Sequence, residues 1–275
     1  MYYIKSLRHK QKILLQIIFI SMKEWSAYRV DMLMLLLTAP LAMLAQYFIW
    51  NSVYSTNKTI NGMSLNQILT YYAITTILNA FLNDDMATTL RSNIYNGSLS
   101  TILQKPVSYF LYSFSQKIGK KTISLLIEVL PLAIIFILAF KINIMPQNLI
   151  WAIISIALSF IHVFFVNFCI GITAFWLIDN WGITMSVNVL SSLCSGMLIP
   201  LVFFPQVIQK LLFILPFQFM YYIPTRVILG SYELAGISMV PYQIVLMQFV
   251  YVFIMGMATY YLWIKGIKKY TGVGA

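Results

Sequence analysis

The sequence predicts an all-α polytopic membrane protein, and three observations carry that prediction. Of its 275 residues, 60% are hydrophobic and only 9% are charged, against roughly 25% charged in a soluble domain. The apolar residues gather in about six runs, each close to the ~20 residues a helix needs to cross ~30 Å of hydrocarbon. The runs are continuous rather than alternating, which fits helices and not the short dyad-patterned strands of a membrane barrel.

The formal charge of +11 lies beside the apolar runs, so it reads as membrane topology and not as a nucleic-acid surface. Cys169 and Cys194 both fall inside apolar runs without ligand spacing, which leaves them as packing residues.

Residues 1–31 form a cytoplasmic N-terminal segment and residues 32–275 a six-span domain. Lys5, Arg8, Lys10 and Lys12 followed by the run Ile13 to Ile20 imitate a secretion signal, but Ser21 to Trp25 offer no small-x-small cleavage site. The run is short for a span. It is expected to be an interfacial amphipathic helix, with Ile13, Ile17 and Ile20 toward lipid and Lys12, Gln16 and Lys23 toward water, and an uncleaved extra span is the alternative.

The first span covers Met32 to Tyr54 with Pro40 inside it. A polar loop, Ser55 to Asn66, follows and includes the glycosylation-type triplet Asn57, Lys58, Thr59. The second span starts near Ile68 and meets Asp84 and Asp85. Adjacent carboxylates point ~100° apart on a helix, so they do not converge as a general acid and base. They are expected as interface residues or as partners of the basic loop that follows.

That loop, Arg91 to Lys121, is the one long polar interruption, and it ends on Lys117, Lys120 and Lys121. The third span, Thr122 to Phe140, holds Glu128 and Pro131; the fourth is Leu149 to Ile178. A tight connection, Asp179 to Gly182, leads to the fifth, Ile183 to about Leu201. Beyond it Pro200, Pro205, Pro216, Pro224 and Pro241 cut an apolar stretch into pieces of about ten residues, too short to span. These are expected as re-entrant or surface-lying helices. The sixth span runs from Tyr242 to Ile264, followed by Lys265, Lys268 and Lys269. Six spans put fourteen of the eighteen basic residues on the side that holds both termini and the Arg91–Lys121 segment, which makes that side cytoplasmic.

No catalytic signature is present. Gly119, Lys120, Lys121 and Thr122 echo the end of a phosphate-binding loop, but Phe114 occupies the required first glycine and Lys121 the magnesium-binding hydroxyl position. No catalytic residue, no metal site and no cofactor site is therefore expected on the chain. His162 reads as a satisfied polar group within a span. Glu128 is the acidic residue well inside a span, read first as a buried hydrogen bond, with the lining of a path and proton coupling as alternatives.

Two stretches together carry a family resemblance. Arg91, Gly97, Leu99, Ile102, Leu103, Pro106, Val107 and Ser108 form the first; Ser195, Gly196, Ile199, Pro200, Leu201, Phe204, Pro205, Leu215, Pro216, Phe217, Tyr222, Pro224 and Gly230 form the second. In this order and in a six-span frame, the chain resembles the type-2 permeases of ATP-binding-cassette exporters, in the single-domain branch.

The resemblance implies that ATP and Mg bind a separate ABC-type ATPase dimer, and that a second permease, identical or related, completes the pathway in the lipid bilayer of a prokaryotic plasma membrane. It implies a coupling helix over Ser98 to Gln104, with Gly97 at its entry, Leu99, Ile102 and Leu103 as its contact face, and Lys105 and Pro106 at its end. Gly196, Pro200, Pro205, Pro216, Phe217 and Pro224 would form an outer gate. Glu128 and Asn167, with aromatics of the second and fifth spans, are expected along the path. The rival reading is an ion-coupled carrier or channel without an ATPase. It is weakened because only one region of the chain is heavily broken, where carriers break in matching places of two halves.

Overall fold

A computed structural model describes residues 2–55, 58–177 and 181–270, without the side chains of residues 2–9, 29, 31, 32, 35 and 181. Asn57 of the glycosylation-type triplet, Asp179 and Asn180 of the tight connection, and the side chains of Lys5 and Arg8 lie outside the described residues.

The chain opens with α1 (Tyr2–Ser26) and α2 (Arg29–Val53). A hairpin, β1 (Thr59–Ile60) and β2 (Met63–Ser64), turns on Asn61 and Gly62. Both turn residues have positive φ, the geometry that favours Asn-Gly in two-residue hairpins. Then come α3 (Leu65–Leu82), α4 (Met86–Tyr95), α5 (Ser98–Leu103), α6 (Tyr109–Ser124), α7 (Leu130–Leu138) and α8 (Leu149–Ile172). The second half holds α9 (Trp181–Cys194), α10 (Gln206–Ile214), α11 (Tyr222–Leu229), the hairpin β3 (Tyr232–Leu234) and β4 (Ile237–Met239), and α12 (Pro241–Ile267). Both hairpins lie at one end of the bundle, and α5 with the C-terminal turns of α8 and α12 lies at the other.

Among the described residues, four helical stretches are long and apolar enough to cross a membrane: Leu36–Val53, Tyr109–Leu138, Leu149–Phe175 and Pro241–Ile267. The expected second and fifth spans are not among them. α9 has 14 residues and is too short. α3 carries Thr70, Tyr71, Tyr72, Thr75, Thr76 and Asn79 in 18 residues, which lowers its apolarity. It tolerates them because eleven of its residues are buried by protein, so hydrocarbon does not set its composition.

The third span also begins earlier than its hydropathy suggested. The helix is continuous from Tyr109, so Lys117, Lys120 and Lys121 lie inside it and not in a loop. Between α6 and α7 it passes through a π-helical turn, Leu125–Val129, where the Leu130 N–H bonds to the Leu125 carbonyl. Pro131 follows and has no N–H to donate. The wider turn accommodates this gap in the hydrogen-bond ladder without breaking the helix.

α1 lies along α6. Leu14, Ile17 and Ile18 are half-buried and Ser21 is buried, whereas Leu15, Phe19 and Ile20 face outward. The expected lipid face is thus split: Ile20 is outward, but Ile13 and Ile17 are half-buried. Close approach is permitted by Gly119, whose missing side chain would meet the Ile18 carbonyl and come within 2.9 Å of Ser21 Cβ. Replacing Gly119 by Val is expected to lift α1 from α6 at a cost of ~1–3 kcal/mol, read as faster limited proteolysis within α1; an unchanged cleavage rate would contradict the docking.

The centre of the bundle is built on α8. Its residues Ser155, Ser159 and His162 form one polar stripe, fully buried, at i, i+4 and i+7. Facing it is the 3-10 turn Pro216–Phe219 between α10 and α11. Ser159 Oγ donates to the Phe219 carbonyl at 2.9 Å, and His162 Nε2 lies 2.9 Å from the Pro216 carbonyl. Gln248 of α12 completes the network, accepting from Ser155 Oγ at 2.8 Å and donating to Ser159 Oγ at 2.8 Å. Carbonyls freed by a broken helix need such partners wherever water is absent.

Candidate translocation cleft and coupling segment

The segment expected to be a coupling helix hangs on α4. Gly97 takes φ +72°, a left-handed turn that glycine adopts without strain, and reverses the chain into α5. Leu99 is fully buried and packs with Leu90, Ile94, Tyr109, Phe164 and Phe168. Ile102 packs half-buried against the same cluster. Tyr109 stacks on Trp263 of α12 at 5.3 Å, and Tyr270 donates to the Gly97 carbonyl at 3.3 Å.

This packing divides the expected contact face. Leu99 and Ile102 tie the short helix to its own chain, and Leu103, 39% exposed, is the apolar residue left at the rim. Around it Tyr95, Ser98, Ser100, Thr101, Gln104, Lys105 and Pro106 are exposed. The reason is geometric: positions 99 and 102 share the inward side of a one-and-a-half-turn helix, and aromatic residues of α6, α8 and α12 fill the space beneath.

The break between α3 and α4 gathers charged side chains in the interior. Lys117 Nζ stands 2.7 Å from Asp84 Oδ2, both side chains under 5% exposed, in an ionic contact without directed hydrogen-bond geometry. The ammonium donates to the Phe160 carbonyl at 3.0 Å and lies 4.4 Å from the centre of the Phe160 ring. Asp84 Oδ1 accepts from the Met86 N–H at 2.9 Å, starting α4.

Lys120 bonds Asp85 at 2.8 Å and covers the Trp25 ring of α1. Lys121 donates to the Ala80 carbonyl at 3.1 Å, one of the last carbonyls of α3, where a helix carries partial negative charge. The two aspartates are therefore partners of Lys117 and Lys120, as one of the two sequence readings held, while Lys121 is held by a backbone carbonyl.

Glu128 sits in the π turn, buried, and accepts a hydrogen bond from Ser124 Oγ. Asn167 of α8 is buried and donates to the Val163 carbonyl at 3.0 Å. The two are not brought together, and neither lines the polar cleft described next.

That cleft, 320 Å³, lies between α2, α3 and the turn after α9. Thr38, Met43 and Gln46 line it from α2, and Tyr72, Thr75, Thr76 and Asn79 from α3. Among the described residues no charged side chain does. Tyr72 donates to the Leu198 carbonyl at 2.9 Å, and Tyr221 of α11 donates to Asn79 Oδ1 at 3.1 Å. The sequence signal for these residues was the recurrence of Thr75, Thr76 and Asn79 inside an apolar run, which reading for charge passes over.

The residues expected to form an outer gate fall where the chain changes direction. Gly196 has φ +79°, and a side chain there would meet Tyr71 Oη at 2.8 Å and Tyr222 Cβ at 3.0 Å. Tyr71 also donates to the Gly196 carbonyl. Pro200 precedes a 3-10 turn, Pro205 precedes α10, Pro216 and Phe217 open the turn held by α8, and Pro224 lies in the first turn of α11. The pieces are short, nine residues in α10 and eight in α11.

An apolar helical bundle with a buried polar stripe and an uncharged polar cleft is the architecture of a polytopic helical membrane protein. A family model described as ABC-2 family transporter protein matches residues 41–274, and the chain belongs to that family. Membership implies, in general, partnership with an ABC ATPase subunit. No curated protein and no solved structure matches the chain.

Proposed function

We propose that this chain is one permease half of an ATP-driven exporter. Six spans are formed by α2, α3, α6 with α7, α8, α9 together with the turns that continue it to Phe203, and α12, with both termini and α5 on the cytoplasmic side of a prokaryotic plasma membrane. ATP and Mg bind a separate ATPase dimer, and a second permease, identical or related, faces the cleft between α2, α3 and α9. The chain itself carries no catalytic step.

The observation that carries this reading is the form of the α4–α5 segment. It projects a small rim of exposed residues around Leu103, while Leu99 and Ile102 fasten the same helix to the buried ends of α8 and α12. A force on the rim is thereby delivered to the bundle. The Asn83–Asp85 break lets α4 pivot against α3, whose Thr75, Thr76 and Asn79 line the cleft. Nucleotide shifts the cleft between its states only by as much as its affinity differs between them.

The test is co-purification of an ATPase with the full chain extracted gently from its native membrane. The wild type is expected to bring down ATPase activity, and the double variant Tyr95→Asp, Leu103→Asp to lose at least ~90% of it, since truncating or charging a contact anchor costs ~2 kcal/mol or more. Good recovery of the wild-type chain with no ATPase would overturn the exporter reading in favour of an ion-coupled carrier.

A further inference from the structure

Arg226 of α11 is a buried cation whose partners are incomplete. It is 8% exposed. Its Nε donates to Tyr222 Oη at 3.2 Å, and the guanidinium carbon lies 5.4 Å from the Tyr222 ring centre. Among the described residues no carboxylate stands within ion-pair distance of it. A guanidinium has five N–H donors, four of them on the two terminal nitrogens.

Arg226 lines a polar cavity of 540 Å³ at the hairpin end of the bundle. Ser231, Tyr232, Glu233 and Ser238 enclose it from the β3–β4 hairpin, and Tyr242 and Gln243 from the first turn of α12. Tyr222 holds the geometry, because its hydroxyl accepts from Arg226 and donates to the Glu233 carbonyl at 2.6 Å. The Glu233 side chain is exposed at the rim. The cavity therefore offers a fork of N–H donors for an anionic oxygen and a solvated carboxylate for a cation.

What adjoins the cavity indicates the rest of the ligand. Tyr242, Leu246, Phe249 and Phe253 run down α12 from its first turn at helical spacing, each more than half exposed. This apolar stripe starts at the cavity and continues into the membrane-crossing part of α12. A molecule with a charged head in the cavity and hydrocarbon tails along the stripe satisfies both surfaces.

We propose that Arg226 and Glu233 form a binding site for the head group of a zwitterionic phospholipid with a primary ammonium. The phosphate diester lies on the Arg226 guanidinium, the ammonium lies on the Glu233 carboxylate, and the acyl chains lie along Leu246, Phe249 and Phe253. Arginine suits phosphate here because its planar fork gives two parallel bonds. The site stands on this geometry whether or not the ATPase partnership holds.

The test is native mass spectrometry of the full chain in detergent, titrated with phosphatidylethanolamine and phosphatidylglycerol of identical acyl chains. The wild type is expected to bind phosphatidylethanolamine about tenfold more tightly, in keeping with one extra charge-assisted contact. Glu233→Gln should abolish that preference, and Arg226→Gln should weaken both lipids by about tenfold or more. Equal binding of the two lipids by the wild type would overturn the proposal, as would unchanged binding by Arg226→Gln. Glycerophosphoethanolamine, the head group without chains, is the competitor. Displacement of the lipid by it at equal concentration would overturn the lipid assignment in favour of a free phosphate ester. If Arg226→Gln does not fold, Arg226→Lys keeps the charge but loses the fork and should still weaken both lipids; full affinity in that variant would overturn the role of Arg226.

Discussion

Lys117→Met is expected to destabilise the protein by ~3–5 kcal/mol, because it leaves the Asp84 carboxylate buried without its cation. Methionine preserves most of the volume and the apolar stem, so the loss reports the charge and not a cavity. The ammonium that disappears also donates to the Phe160 carbonyl, so that second contact is lost with it. The decisive measurement is the double variant Lys117→Met, Asp84→Asn. Asparagine keeps an oxygen for the Met86 N–H, which Asp84 Oδ1 accepts in the wild type, and it carries no charge to strand. Thermal unfolding in detergent should show the double variant recovering ~1 kcal/mol or more over Lys117→Met, as contacting pairs do in a double-mutant cycle. If the two single effects simply add, the ion pair is not what joins α6 to the α3–α4 break.

Leu99→Asp should have the other large effect, and its value lies in the contrast with Leu103. Leu99 is fully buried in the aromatic cluster beneath α5. A carboxylate there has no partner and costs several kcal/mol, met by protonation or by detaching α5. The same change at Leu103, which is 39% exposed, should leave the melting midpoint within ~0.5 kcal/mol of wild type and act on the ATPase contact alone. Monodisperse recovery by size exclusion separates the cases: Leu99→Asp is expected to be lost or aggregated, and Leu103→Asp recovered in full. Equal behaviour of the two would mean that α5 does not fasten to the bundle through Leu99.

The helical class, the positions of α2, α8 and α12 to within a few residues, and the short proline-bounded pieces before α12 were legible in the sequence. Each depends on a local rule: hydropathy over a span length, or the inability of proline to continue a helix. Gly97 and Pro106 were legible for the same reason, since a reversal and a helix stop are set by backbone chemistry. The start of the third span was not. Three lysines within five residues read as a loop, and only their neighbours Asp84, Asp85 and the Ala80 and Phe160 carbonyls explain how a helix carries them. The polar cleft was passed over because its residues are uncharged and come from separate helices.

The same division runs through the molecule as a whole. The sequence by itself determined that the chain lives in a membrane, where its long apolar helices lie, and which family it resembles, because these follow from local composition and from motifs read in order. Only the tertiary structure decided which polar residues are structural and which face a cleft. Ser155, Ser159, His162 and Gln248 resemble Thr75, Thr76 and Asn79 on paper, yet the first set is spent on the carbonyls of a broken turn and the second borders open space. Burial of a polar group depends on what stands opposite it, and what stands opposite comes from residues sixty to ninety positions away in the chain.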